Sequence, residues 1–198
     1  MWYLIQVFLS TECLGAKYGS MLFAVPYEVI LGKHSMWDKI SSTDSDLLTI
    51  KQVLYDQYHF TFSGLEIEAE GSGYAACAFK LNSLDVKFRS AKITPKKIGQ
   101  FVTLWKRIAD GPTQPYDAKD SVAFFVISVR RDNHFGQFVF PKAVLIEKSI
   151  FSLNGSGGKR GIRVYPPWDK AENSQAKKTQ KWQLQYFLDL TSGLPIDV

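Results

Sequence analysis

The spacing of hydrophobic residues changes period several times along the chain. Apolar residues at helical spacing predict a first helix over residues 44–57, and its acidic first turn suits the positive end of a helix dipole. Alternation with a period of two then predicts strands over 60–70, 74–82 and 84–93. The first half of the chain is therefore expected to form a helix and a three-stranded meander.

The clearest helix start follows the third predicted strand. Thr94 is a good N-cap, and Pro95 suits the first position of a helix, where its missing N–H costs nothing. The hydrophobic residues that follow recur at helical spacing: Ile98, Phe101, Val102, Trp105 and Ile108. We therefore predict a second helix over 94–108, ended by the Gly-Pro pair at 111–112.

The second half of the chain is built around a hydrophobic centre. Residues 122–130 are mostly apolar or small, which is typical of a strand that is buried on both faces. Segments rich in turn residues separate the remaining elements. These are a returning strand at 135–140, a short helix at 142–148, a glycine-rich loop at 152–158, a strand at 159–165 and a final helix at 173–188.

The order of elements predicts a single domain of mixed α/β (α+β) class, in which helices flank a mixed sheet. A chain of 198 residues, of which 45% are hydrophobic, can bury one sizeable core. The leading order αβββαβ is also the core order of the restriction-endonuclease-like fold, followed here by C-terminal additions. Many folds place a helix beside a meander, so this order alone identifies no function.

The N-terminal segment differs from the rest of the chain. Its apolar runs at 2–9 and 21–31 are too short or too interrupted to cross a bilayer, and we expect no membrane partner. Residues 1–35 are interpreted as an upstream extension, with the natural product starting at Met36. The alternative is an N-terminal strand or hairpin that packs on the domain formed by residues 36–198.

Charge is distributed unevenly along the chain. Residues 1–70 carry four cations and nine anions, whereas residues 71–198 carry twenty cations and ten anions. A strongly basic surface attracts polyanions, of which nucleic acid is the commonest; anionic membranes and phosphorylated ligands are others. The alternative is an ordinary charged surface with no such partner.

The densest basic cluster surrounds the predicted start of the second helix. Arg89 and Lys92 precede that start, and Lys96 and Lys97 fall in the first turn of the helix. Lysines in this position oppose the helix dipole, and a bound phosphate would offset the conflict. We therefore interpret these four residues as phosphate contacts; the alternative is that the lysines project into water.

Two further basic segments extend this hypothesis. On the predicted strand 159–165, Arg160 and Arg163 are suited to hold phosphates, and Tyr165 shares a face with Arg163. On the final helix, Lys178 lies on an outward polar face together with other lysines and with glutamines, Gln183 among them. For both segments the alternative is that these charged residues are exposed to solvent and bind no ligand.

A candidate catalytic arrangement lies on the third predicted strand. Asp85 and Lys87 have the Asp-x-Lys spacing of metal-dependent nucleases, in which carboxylates hold Mg²⁺ and the lysine assists the attacking water. An upstream acid would be the second metal ligand, and we choose Glu68 over Glu66 and Glu70. The tripeptide is common by chance, and the histidines and cysteines indicate no other metal centre.

Four segments resemble the MepB-like family of bacterial proteins: FRSAKITPKKIGQFVTLWKR at 88–107, GQFVFPKAVLIEKSI at 136–150, GKRGIRVYPPWD at 158–169 and KTQKWQLQYF at 178–187. They cover most of residues 60–188 in order, and they exclude residues 1–35. The resemblance implies a cytoplasmic bacterial protein with a nuclease-like fold and nucleic acid as the suspected ligand. It carries over no catalytic residues, because such proteins are generally of unassigned function.

These observations predict a nucleic-acid-binding protein that contacts mainly phosphates, through Arg89, Lys92, Lys96, Lys97, Arg160, Arg163 and Lys178. The first alternative is a Mg²⁺-dependent nuclease that uses Asp85, Lys87 and Glu68. The second is a non-catalytic module that binds another protein. No cofactor is implied, apart from Mg²⁺ under the nuclease alternative.

Overall fold

The computed structural model describes residues 45–107 and 111–193, and a six-stranded sheet lies at its centre. Its strands are β1 (Phe62–Ile67), β2 (Cys77–Leu81), β3 (Leu84–Ser90), β8 (Phe124–Arg131), β9 (His134–Pro141) and β11 (Phe187–Asp189). They lie side by side in the order β1-β2-β3-β8-β9-β11. The sheet is mixed, because β3 and β8 run parallel whereas the other neighbouring pairs are antiparallel.

Smaller sheets and helices cover the central sheet. A three-stranded sheet has the order β10-β5-β4, and a two-stranded sheet pairs β6 with β7. Their strands are β4 (Lys92–Thr94), β5 (Lys97–Thr103), β6 (Trp105–Arg107), β7 (Thr113–Pro115) and β10 (Gly161–Val164). The helices are α1 (Ser45–Ile50), which continues into a π-helical turn at Lys51–Tyr55, α2 (Lys142–Glu147) and α3 (Ser174–Gln183).

Strand β8 is buried on both faces and divides the hydrophobic core into two parts. Phe124 and Val126 pack with α1 on one side of the central sheet. Phe125 and Ile127 pack on the other side with residues of α2, β5 and β10. The molecule therefore has three layers, in which α1 covers one face of the central sheet and the smaller sheets with α2 and α3 cover the other.

Most of the predicted elements are confirmed, as is the single mixed α/β domain. The meander, the central buried strand with its returning partner, the short helix and the glycine-rich loop lie where the sequence patterns place them. Asn82 and Ser83 connect β2 to β3 with positive φ angles of 48° and 66°, as a tight hairpin requires. Within the described residues, no helix has the length and hydrophobicity needed to span a membrane.

The predicted helix over 94–108 is wrong, because the described part of that segment forms strands. β4 and β5 make a hairpin through the turn residues Pro95 and Lys96, since a proline after threonine can begin a turn as well as a helix. Gly99 has a φ of +83°, a conformation that no helix contains. The helix in the fifth place of the predicted order αβββαβ is therefore absent, and the chain passes from β3 to the parallel β8 through β-structure instead.

Two boundaries also differ from the predictions. The strand predicted to reach residue 93 leaves the central sheet after Ser90, and Lys92 begins the second sheet. The final helix, predicted to reach residue 188, ends at Gln183, because residues 187–189 pair with β9 as the last strand of the central sheet. The predicted boundary between residues 1–35 and 36–198 lies outside the described residues.

Candidate nucleic-acid interface

A groove of about 690 Å³ lies between the β4–β5 hairpin and helix α3. Strand β10 lines it between these two walls, and the end of α2 contributes a further side chain. We call it the basic groove, because its lining includes five cationic residues: Lys96, Lys97, Lys148, Lys159 and Arg163. Glu172 is the single carboxylate among the described lining residues.

The groove brings together three of the predicted phosphate contacts. Lys96 and Lys97 lie at the turn of the hairpin, and Arg163 lies on β10, more than sixty residues further along the chain. The prediction that these lysines begin a helix is wrong, so a conflict with a helix dipole is not what exposes them. They are exposed because they occupy the outer end of a hairpin whose middle packs against β10.

Gly99 allows this hairpin to lie close to β10. A Cβ atom at Gly99 would lie 2.6 Å from Cε1 of Tyr165 and 3.1 Å from the backbone oxygen of Val164. The first distance is too short for a non-bonded carbon, the second is tighter than most such contacts, and the φ of +83° also favours glycine. The absent side chain therefore leaves space for the Tyr165 ring, which itself lines the groove.

Arg163 holds the hairpin in place. Its guanidinium donates hydrogen bonds to the hydroxyl of Thr94 at 2.7 Å and to the backbone oxygen of Gly99 at 2.9 Å, with a longer bond to the oxygen of Lys97. One side chain thus binds both strands of the hairpin. The predicted role of Arg163 is changed accordingly, since three of its five N–H groups already bind the hairpin, two of them at backbone oxygens and one at the Thr94 hydroxyl.

Gln183 fixes the opposite wall of the groove. Its side chain accepts a hydrogen bond from the backbone N–H of Tyr165 and donates one to the backbone oxygen of Arg163, both at 2.9 Å. The residue is buried, and so the prediction that it lies on the outward face of the final helix is wrong. A glutamine at a core position of a helix is the signal that indicates such a tether.

Three groove lysines have no carboxylate partner. Within residues 45–107 and 111–193, no acidic oxygen lies within 4.0 Å of the ammonium groups of Lys96, Lys97 or Lys159. Lys148 pairs with the exposed carboxylate of its neighbour Glu147 at 2.7 Å. The groove therefore presents positive charge that the described part of the chain does not neutralise. Sequence analysis singled out neither Lys148 nor Lys159 as a contact, although both flank the glycine-rich loop.

The Asp-x-Lys pair lies outside the basic groove: Lys87 lines a second cleft of about 500 Å³, and Asp85 accepts a hydrogen bond from Ser121, which also lines that cleft. Glu68 and Lys87 line this cleft, and Nζ of Lys87 lies 2.6 Å from Oε1 of Glu68. Two further ion pairs also border the cleft: Lys106 with Asp120 and Arg107 with Glu70. We call it the ion-paired cleft, because each cation of its lining has a carboxylate partner.

The predicted magnesium pair does not fit a divalent cation in this arrangement. Both oxygens of Glu68 are engaged, one by Lys87 and the other by Arg89. Hydrogen bonds from Lys80 and then from Ser121 hold the pKa of Asp85 below its usual value. Among the described residues, no three acidic, histidine or cysteine side chains come together as a metal site.

The remaining predicted contacts lie outside the basic groove. The prediction that Arg89 belongs to an exposed basic surface is wrong, because its side chain is 2% exposed and binds Glu68 and the hydroxyl of Tyr116. Lys92 lies over the ring of Tyr74, and Arg160 donates to the backbone oxygen of Thr113. Lys178 is exposed on α3 but does not line the groove.

Fold and site together define a single-domain mixed α/β protein with a concave basic surface. The chain belongs to the MepB-like family, whose model matches residues 68–189. It is similar to the protein in a crystal structure of MepB, with 31% sequence identity and a TM-score of 0.62 over 83% of this chain and 97% of that one. A search among curated proteins finds no match. The resemblance seen in the four sequence segments is thereby confirmed.

Proposed function

We propose that the protein binds nucleic acid in the cytoplasm, with Lys96, Lys97 and Lys159 of the basic groove contacting backbone phosphates. The observation that carries the proposal is that these three lysines converge on one concave surface without a carboxylate partner among the described residues. Unpaired cations attract an external polyanion and release its counterions on binding.

The contrast between the two concave surfaces favours binding over hydrolysis. In the ion-paired cleft, the cations are neutralised by Glu68, Glu70 and Asp120, so little charge remains for a phosphate. In the basic groove, five cationic residues face Glu172, the one acid among the lining residues that the structure describes. Polar side chains of α3 also line the groove, and such side chains donate hydrogen bonds to phosphate oxygens in nucleic-acid complexes.

Fluorescence anisotropy with labelled DNA and RNA oligonucleotides tests the proposal. We expect the wild-type chain to bind at low salt and the double variant K96E/K97E to bind at least about tenfold more weakly. The matched control is K119E/K170E, which makes the same change in net charge at two exposed lysines outside the groove lining. Equal weakening by both double variants would show that only net charge matters and would contradict the proposal.

The same variants separate the alternatives. Binding to another protein would survive K96E/K97E, whereas nucleic-acid binding would not. Nuclease activity would require cleavage of the bound oligonucleotide in Mg²⁺ and its loss in D85A. Since Asp85 and Glu68 are already held by cationic side chains, we expect binding without cleavage.

A further inference from the structure

The two walls of the basic groove are fixed to the same strand. Arg163 of β10 binds the hairpin through its side chain, and its backbone oxygen accepts a hydrogen bond from Gln183 of α3. Gln180 adds bonds from α3 to the backbone oxygens of Pro166 and Asp169, at 3.0 and 2.7 Å. The walls cannot move apart without breaking these bonds, so the width of the groove is set before any ligand arrives.

The fixed groove is the size of a small-molecule site. Its volume of about 690 Å³ lies within the range of pockets that enclose one drug-sized ligand. A single nucleotide is a ligand of that size, whereas a duplex has a much larger cross-section. A duplex would therefore touch the rims of the groove and leave its floor uncovered.

The lining of the groove combines charge with aromatic and amide groups. Tyr165 and Trp182 are both half-buried lining residues, and Asn173, Gln175 and Thr179 of the α3 wall lie with them. Aromatic rings stack on bases, and amide side chains form hydrogen bonds with base edges. In a duplex the faces of the bases are stacked on one another and are closed to such contacts.

From this arrangement we infer that the basic groove takes a single strand of nucleic acid, with a base against Tyr165 and the adjoining phosphates on Lys96, Lys97 and Lys159. The inference rests on the proposed function, and it restricts the ligand from nucleic acid in general to single-stranded nucleic acid. Single-stranded DNA and RNA share the required chemistry, an unstacked base joined to phosphates. A duplex, whose stacked bases are closed to Tyr165, should bind the groove more weakly than a single strand.

Anisotropy titrations with three labelled probes test the inference: a single-stranded DNA, the single-stranded RNA of the same sequence, and the DNA duplex. We expect the single strands to bind at least about tenfold more tightly than the duplex at equal salt. Equal or tighter binding of the duplex would overturn the inference and leave the proposed function standing. Binding of none of the three probes would overturn both.

A pair of variants at Tyr165 provides the second readout. Tyr165→Leu removes the ring and should weaken binding of the single strands about tenfold, whereas Tyr165→Phe keeps the ring and should bind like the wild type. Heparin, a polyanion without bases, should bind both variants equally and so shows that the groove is still folded. If Tyr165→Leu binds the single strands as tightly as Tyr165→Phe does, the base contact is absent and the inference fails.

Discussion

At the scale of single residues, the two most deeply buried charged side chains among the described residues are Arg89 and Asp169, and they differ in how fully they are hydrogen-bonded. Arg89 is 2% exposed and is bound by Glu68, by the hydroxyl of Tyr116 and by the backbone oxygen of Phe88. Asp169 is 1% exposed, and Nη1 of Arg131 lies 2.6 Å from its Oδ1. No described residue donates a well-aligned hydrogen bond to either oxygen of Asp169. Burial therefore raises the pKa of this carboxyl above its ordinary value.

The buried Asp169 predicts a pH-dependent stability. A carboxyl whose pKa is higher in the folded than in the unfolded state binds its proton more tightly in the folded state, so stability falls as pH rises above the ordinary value of 3.8. Asp169→Asn keeps the shape of the side chain and removes its charge. The Tm of this variant, relative to the Tm of the wild type, should therefore increase as pH rises from about 4 to about 7. Thermal melts of both proteins across this range are the measurement.

The matched control for this variant is Asp132→Asn, which changes an exposed acid in the neighbouring hairpin turn. Its Tm difference from the wild type should stay nearly constant over the same range. A Tm difference for Asp169→Asn that shrinks with rising pH would mean that the ion pair with Arg131 outweighs the cost of burial, contrary to the prediction.

At the scale of elements, the sequence predicts strands better than it predicts the second helix. Residues 122–130 are mostly apolar or small, and the strand that is buried on both faces begins within them, at Phe124. The segment after Pro95 carries apolar residues that fit a helical period, yet several of them, such as Phe101 and Val102, also favour strands. Gly99 favours the strand over the helix, because its left-handed φ and its contact with Tyr165 exist only in the hairpin. That contact joins positions distant in sequence, so no local pattern reveals it.

The edge strand β11 depends on a second close approach, at Gly136. A Cβ at this position would lie 2.6 Å from the backbone oxygen of Leu188 and 2.4 Å from the Phe187 ring. Gly136→Ala must therefore push β11 away from β9, and we expect it to lower the free energy of unfolding by about 2–3 kcal/mol, the upper part of the usual range for overpacking. Urea denaturation measures the change.

Gly73→Ala is the control for this substitution. The nearest atom to its added Cβ is Nζ of Lys92 at 3.6 Å, an ordinary contact with a flexible side chain. We expect a change in the free energy of unfolding within about 0.5 kcal/mol, as for most surface positions. Equal destabilisation by the two substitutions would show that the loss of glycine itself, rather than the displacement of β11, is responsible.

At the scale of the whole molecule, the site depends on tertiary structure more than on any motif. The basic segments are visible in the sequence, and three of the seven predicted contacts meet in one groove. The prediction that Arg89 is exposed is wrong because a basic side chain on a strand can be buried when it pairs with an acid such as Glu68. The sequence does not indicate Lys148 as a contact or Gln183 as a buried tether, because these roles arise only when the end of α2 and helix α3 come together with β10.

The convergence of Lys96, Lys97 and Lys159 from two distant segments predicts how affinity depends on salt. Each phosphate neutralised on a single strand contributes about −0.7 to the slope of log K against log salt concentration, so three contacts give a slope of about −2. K96E/K97E removes two of these contacts, so the magnitude of its slope should decrease, giving a slope of about −0.7. K119E/K170E leaves the groove intact and should keep the wild-type slope even if its overall affinity changes. Anisotropy titrations at four or more salt concentrations measure all three slopes, and a common slope would mean that the groove lysines do not contact phosphate.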